Sequence, residues 1–515
     1  MKKTSLFLQV FLFIGILFSS CQKKEKEKIK QSVRLNLTGE PQSLDPRYAR
    51  DLNSINLMKM LFEGLMRICP TGKAELALAE NVIIAEDGKT YTFFLRKSVW
   101  SNGQEVSAHD FVYAWKSSLS PTSVSPLASQ LFDIKNAKKI KQGILSEEEL
   151  GVFARSFNIL EIQLEKPVPY FLDLLALPIF FPINKDIDRQ KEKWAENEDF
   201  YVSNGPFQLK KWKHQDSLEL KKNQKYWDQK VVQLEKLFFI MLPTETEMHM
   251  FEMKELDWVG SPFSCLPIDV VQNRKKEIEI VPYFGTSFFR INLAPKDKKK
   301  KITLSMRKAL FATVNRESIA ESVLMGGEKA AYTLVPKKKE KTQKEEKICL
   351  VEKEKKQVLT VTYMKTETNY IVMQALQRQW EKYLPIKIQL EVVEGKVFYQ
   401  RLQQGEYQLA LGSWIADIQD PINFLEIFQY RKNLNNNTSW ENEKYIEFLH
   451  QASICMEKEK RQMLLKQAES ILLEKLPIIP LFHLTIKYIK NEKIKDVYLS
   501  ALGHIDFKWA YINEK

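Results

Sequence analysis

"VLTVTYMKTETNYIVMQALQRQWEKYLPIKIQLEVV", residues 358–393, is the stretch whose reading decides the fold class. Its first seven residues, VLTVTYM, are mostly β-branched or aromatic and read as a strand. YIVMQALQRQWEKYL (370–384) reads as a helix, and IKIQLEVV (386–393) as a second strand. A strand–helix–strand unit of this kind builds a mixed or parallel sheet. Strand-like and helix-like segments alternate irregularly elsewhere, which points to an α/β or mixed α+β chain and excludes a repeat array.

Working outward, SVRLNLT (32–38) alternates as a strand and leads into the Pro-bounded loop EPQSLDP. INLMKMLFEGLM (55–66) has helical spacing through Ile55, Met58, Leu61 and Leu65. AEDGKTYTFFLRKSVW (85–100) reads as a strand after an Asp87-Gly88 turn, and GPFQLKKW (205–212) with DSLELKKN (216–223) as a hairpin. MRKALFATVNRESIAESVLMGGE (306–328) supports two consecutive helices, with Asn315 as N-cap of the second and Gly326-Gly327 as its stop.

A chain of 515 residues needs two or three domains. The N-terminus reads as an export signal: Lys2 and Lys3, the apolar run LFLQVFLFIGILF (6–18), then Ser19, Ser20 and Cys21. Thirteen helical residues span about 20 Å, too short for a comfortable bilayer crossing. FSSC resembles the bacterial lipobox, which makes Cys21 the expected lipidation site, followed by a solvated tether, QKKEKEKIK. The net charge of +13 is local: besides Lys2 and Lys3, it resides in the tether, in residues 296–301 and in residues 337–356. These tracts carry +3, +4 and +4, and the rest of the chain is close to neutral. Lys-rich tracts without interleaved aromatics read as solvated loops, so no nucleic-acid partner is expected. Cys69, Cys265, Cys349 and Cys455 show neither close pairing nor metal-like spacing, and are expected to be isolated thiols.

WSNGQEVSAHDFVYAW (100–115) places Ser107, His109 and Asp110, the residue types of a nucleophilic hydrolase, close in sequence. The apolar residues Ala108, Phe111, Val112, Trp115 and Leu119 are spaced as one face of a helix, with Ser107 just before it and Asp110 three residues on. That pattern is a capping box with Asp in place of Glu or Gln. Adjacent helical residues point about 100° apart, so His109 and Asp110 do not form a triad. GKT (88–90) lacks the upstream glycine of a phosphate loop, since position 83 is Ile83. There is no GxSxG and no HExxH among the six histidines, so neither enzymatic activity nor a metal or other cofactor is expected.

A family resemblance rests on EPQSLDPRYARD (40–51), LFEGLMRICPTGKAELALAE (61–80), WSNGQEVSAHDFVYAW, SNGPFQLKKWKHQDSLELKKNQKYWD (203–228), VPYFGTSFFRINLAP (281–295), MRKALFATVNRES (306–318) and GSWIADIQDPINFL (412–425). In this order and spacing they resemble the extracytoplasmic oligopeptide-binding proteins of ABC importers, the peptide/nickel-type family 5 of bacterial solute-binding proteins. The resemblance implies a two-lobed periplasmic-binding-protein fold of type II, cluster C, with an extra domain inserted in the N-terminal lobe. Lobe I would comprise residues 32–62, 195–291 and 483–515, the inserted domain 63–194 and lobe III 292–482, after a signal peptide (1–20) and a lipidated tether (21–31). The lobes would close over a ligand, and the closed form would be read by a membrane permease and its ATPase subunits. The expected protein is a monomer held at a membrane of the cell envelope through the lipid on Cys21.

The same resemblance implies site residues. Asp417 would pair with the α-ammonium of a bound peptide, which needs an opposite charge once taken from water. Ser413 and Ile415 would offer backbone groups in strand fashion, Trp414 would wall a side-chain pocket, and the segment from Arg50 to Leu52 would form another contacting edge. Departures accompany these matches. Arg50 stands where broad peptide binders tend to have an acidic residue, and Leu127 where they tend to have an aromatic. A Trp expected near Gly395 is missing, and Leu411 occupies a position that can carry Arg. They leave room for a narrower peptide range, for a nickel or haem complex as ligand, or for a structural or adhesive envelope lipoprotein.

Overall fold

The computed structural model describes residues 31–70, 72–337 and 357–513. The signal segment, Cys21, nearly all of the tether, Cys349 and most of the 337–356 tract lie outside the described residues. The deciding stretch folds as read: strand Gln357–Met364, helix Glu367–Tyr383 and strand Ile386–Val393, the two strands parallel and in register from Gln357 opposite Ile386. Thr366 caps the helix, its side chain accepting from the Asn369 N–H at 3.1 Å.

These strands belong to a seven-stranded mixed sheet. Its spine is a pair of antiparallel 13-residue strands, Glu279–Ile291 and Ile478–Lys490, each about 43 Å long at a rise of about 3.3 Å per residue. At one end the second of them pairs with Trp258–Gly260, and at the other the first pairs with Leu409–Ile415, which in turn pairs with Gln357–Met364. The register of the long pair shifts between Pro282 and Thr286 and again between Ser287 and Phe288. A second sheet of four strands sets Ser32–Leu37 parallel to Lys236–Met241 and continues through the hairpin of Ser217–Lys222 with Phe207–Lys213. A third, wholly antiparallel, comprises Ala79–Ile84, Thr90–Leu95, Ile159–Gln163 and Val152–Ser156.

Packing follows the sheets. One apolar core runs through residues 33–263 and 486–510, so the inserted segment and the sheet that carries it share a hydrophobic interior. A second core around Phe289, Trp380 and Leu409 and a third around Phe424, Tyr445 and Leu472 flank the mixed sheet at its other end. Helix Ala108–Leu119 begins as the capping pattern requires: the Asp110 carboxylate accepts from the Ser107 N–H at 2.8 Å and from its hydroxyl at 3.1 Å. Asp110 is buried while His109 is exposed, so they do not face each other. Asn315 caps the helix that follows it, accepting from the Ser318 N–H at 2.8 Å, and that segment ends at Met325 with a left-handed φ of 58°.

One helix end departs from the sequence reading by more than a turn. The helix expected over 55–66 runs from Leu52 to Leu61, capped by Asp51, whose side chain accepts from Ser54. It stops because Phe62 is extended and Glu63 is captured by Asn204: the Glu63 N–H donates to Asn204 Oδ1 and the Asn204 amide donates to Glu63 O, both at 3.0 Å. Leu65 is buried, but from the segment after the helix. Gly205 lies against this junction, donating its N–H to Leu61 O at 2.8 Å. A Cβ there would meet the Leu61 carbonyl carbon at 2.6 Å and oxygen at 2.7 Å, backbone atoms that cannot step aside. Gly205→Ala is therefore expected to cost about 1–3 kcal/mol, read as a lower urea midpoint. Gly39→Ala, with nothing within 4 Å of the added carbon, leaves the midpoint nearly unchanged.

Candidate functional site

The loop that follows strand Leu409–Ile415 carries Asp417 and is held from several directions. The Ala416 N–H donates to Phe284 O at 3.1 Å and the Asp417 N–H to Asn423 Oδ1 at 3.0 Å. Asp420 anchors the loop's far end, its carboxylate gripped by both terminal nitrogens of Arg461 at 2.7 and 2.8 Å. Ile418, only 3% exposed, packs into the first core, so this loop reaches across to the N-terminal half of the molecule.

The Asp417 carboxylate reaches water but is crowded by protein, and desolvation raises its pKa above the ordinary aspartate value. Among the described residues it makes neither a hydrogen bond nor an ion pair. It lines a cavity of about 260 Å³ together with Gln419, Lys59, His504, Gly72 and Asp173. Lys59, Ile68, Ala176 and His504 also line an adjoining cavity of about 430 Å³, bounded further by Glu63, Arg67, Tyr498 and Asp506. A third, wider space of about 870 Å³ lies between Asp133, Lys166 and Tyr170 on one side and Glu426, Tyr430 and His450 on the other. Lys166 Nζ bridges it, donating to Ser453 Oγ at 3.1 Å. Burial first, then the nearby Asp133, Asp417 and Asp420 charges, push Glu426 up to about 7. Arg461 engages Asp420, and among the described residues Asp417, Glu426 and Asp133 have no cation in ion-pair contact.

The expected site residues are only partly brought together. Ser413, Trp414 and Ile415 precede Asp417 on one strand, pairing with Ser287, Thr286 and Gly285. The parallel pairing with strand 357–364 ends at Leu411, so residues 412–415 have a strand neighbour on one side only among the described residues. Ser413 and Ile415 are exposed, whereas Trp414 is half-buried against the third core, its indole Nε1 buried without a partner. Arg50 is exposed and donates to Gln42 Oε1 at 2.9 Å, and Leu52 opens the helix 52–61. Leu127 packs on the first core. None of these three lines the Asp417 cavity. Leu411 is 2% exposed within the second core, facing no cleft. Sequence reading did not single out Lys59 or His504. The signal for Lys59 was there, a lone cation inside an apolar helix; His504 lies among short C-terminal strands that carry no periodicity.

The chain's residues 73–436 match the model of bacterial extracellular solute-binding proteins, family 5. The chain belongs to that family. It is 34% identical to the oligopeptide-binding protein OppA of Bacillus subtilis over 99% of this chain and all of the relative. Among solved structures it is similar to Haemophilus influenzae OppA in complex with the peptide RPPGFSPFR, with 25% identity and a TM-score of 0.78 over 94% of this chain and 99% of that one. It is also similar to the substrate-binding domain of an oligopeptide ABC transporter from Bacillus anthracis, with 27% identity and a TM-score of 0.74 over 94% and 99% of the two chains. The two-lobed family 5 architecture is consistent with the mixed α/β sheets, and the Asp417 cavity is lined from helix 52–61, the loop after strand 409–415 and the C-terminal segment. No helix among the described residues is long and apolar enough to cross a membrane.

The Glu426 carboxyl gives a pH signature to the cavity it shares with Asp133 and Lys166. Its folded-state pKa lies above the unfolded value, so its contribution favours the fold below about pH 4.5 and is lost as pH rises through about 7. Glu426→Gln is expected to flatten the fall in ligand-free melting temperature between pH 5 and pH 8, measured by differential scanning calorimetry. An unchanged pH slope would place the titration elsewhere.

Proposed function

We propose that this chain is the substrate-binding subunit of an ABC importer, capturing oligopeptides between its lobes and delivering them to a membrane permease and its ATPase subunits. The observation that carries the reading is Asp417, a crowded, unneutralised carboxylate on a rigid loop where the halves of the molecule meet. A peptide's α-ammonium supplies the missing charge, and the pair forms away from bulk water, where its attraction is strongest. Residues 412–415, with one strand side unpaired, suit an extended ligand backbone, and such bonding is independent of peptide sequence. Micromolar affinity needs about 8 kcal/mol, within reach of several backbone hydrogen bonds and one charge pair.

The division into lobe I (32–62, 195–291, 483–515), inserted domain (63–194) and lobe III (292–482) is part of this proposal. The register break between Pro282 and Thr286 supports a hinge in the paired long strands, about which the lobes close. Placement outside the cytoplasm follows from the family; anchoring through a lipid on Cys21 and action as a monomer complete the proposal.

Asp417→Asn tests it. Peptides with free N-termini should lose affinity at least ten-fold by isothermal titration calorimetry, while N-acetylated versions, already weak, change little. Equal losses for both would remove Asp417 as the amine anchor.

A further inference from the structure

The proposed function uses Asp417 but leaves Lys59, which lines both of the adjoining cavities, without a role. Its ammonium has three N–H donors and makes one hydrogen bond, to Ala176 O at 3.0 Å. Among the described residues no carboxylate is ion-paired with it. Asp506, whose charge acts on Lys59, is already joined to Arg67, whose other arm holds Glu63 at 2.6 Å. Beside Lys59, His504 keeps a buried Nδ1 without a hydrogen-bond partner. Burial first, then the Lys59 charge, hold that imidazole neutral, so it keeps one N–H to donate without adding a second cation. Desolvation likewise pushes Lys59 down to about 8. An ammonium kept in a protein cavity with a single carbonyl acceptor is unfavourable unless an anion joins it.

Asp417 and Lys59 thus present opposite charges to one cavity, from opposite lobes, without contacting each other. We propose that Lys59 is the carboxylate-binding counterpart of Asp417, so that the cleft selects short peptides with both termini free, the α-ammonium at Asp417 and the C-terminal carboxylate at Lys59, assisted by His504. This deepens the peptide-binding reading and rests on it. Both charges line the same small space, so a ligand that meets both at once is short. A ligand that spans the two charges also holds the lobes together, because each lobe contributes one end of the recognition.

The test uses the full mature protein and a mixed-sequence library of di- to tetrapeptides, prepared as free acids, as C-terminal amides and as N-acetylated acids. The bound fraction is quantified by mass spectrometry. Wild type should enrich free acids at least ten-fold over amides. Lys59→Met should bring that ratio to within about two-fold by losing acids alone, and Lys59→Arg should restore it. The proposal is overturned if wild type takes acids and amides alike, if Lys59→Met weakens both equally, or if the preference survives Lys59→Met. Discrimination against N-acetylated peptides without any acid preference would leave the peptide reading standing and remove only Lys59. Failure to enrich any peptide would remove both.

Discussion

The buried carboxylate of Glu63 is the contact on which the N-terminal half depends. It is 3% exposed, and it accepts from the Tyr226 hydroxyl at 2.8 Å, from Trp227 Nε1 at 2.5 Å and from Arg67 Nη1 at 2.6 Å. A charge taken from water to this degree is tolerated only when its lone pairs are engaged in this way. Its backbone is pinned by Asn204 on both sides. One residue therefore joins LFEGL, SNGPF and KYWD, through contacts that span up to 164 positions of the chain. Arg67 carries the network on to Asp506, and Lys508 closes it on Asp228 at 2.8 Å, tying in the C-terminal return. This lattice fixes the end of helix 52–61, which holds Lys59 at the cavity wall.

Asp417 shows the complementary constraint. Where Glu63 is saturated, the Asp417 carboxylate has no partner among the described residues, on a loop held instead through Asp420 on Arg461 and the Asp417 amide on Asn423. The sequence places both acids in similar company, a short apolar run beside an aromatic residue. Their different fates come from tertiary packing: Glu63 is buried among Arg67, Tyr226 and Trp227, whereas Asp417 occupies an exposed position on its loop.

Much of the architecture was legible because it is local. The strand–helix–strand unit at 358–393, the 205–222 hairpin and the Ser107–Asp110 cap each depend on near neighbours in the chain, so periodicity and capping chemistry reveal them. The helical spacing over 55–66 outlasts the helix itself because Asn204, 141 residues away, captures Glu63. The site was legible only in part. Asp417 came through resemblance, in a motif of fixed order. Arg50, Leu52 and Leu127 lie outside its cavity, since alignment to a pattern fixes position along the chain but not which wall a side chain joins. Lys59 and His504 meet across 445 residues of sequence, a separation that no local pattern spans.

The central claim is that the space between the lobes receives a peptide by its free amine. Native mass spectrometry of the protein purified from its own cell envelope, with fragmentation of whatever leaves it, tests this most directly. The account predicts a heterogeneous set of peptide masses, released on unfolding and carrying unmodified N-termini. A single non-peptide ligand, or peptides with blocked N-termini, would contradict it.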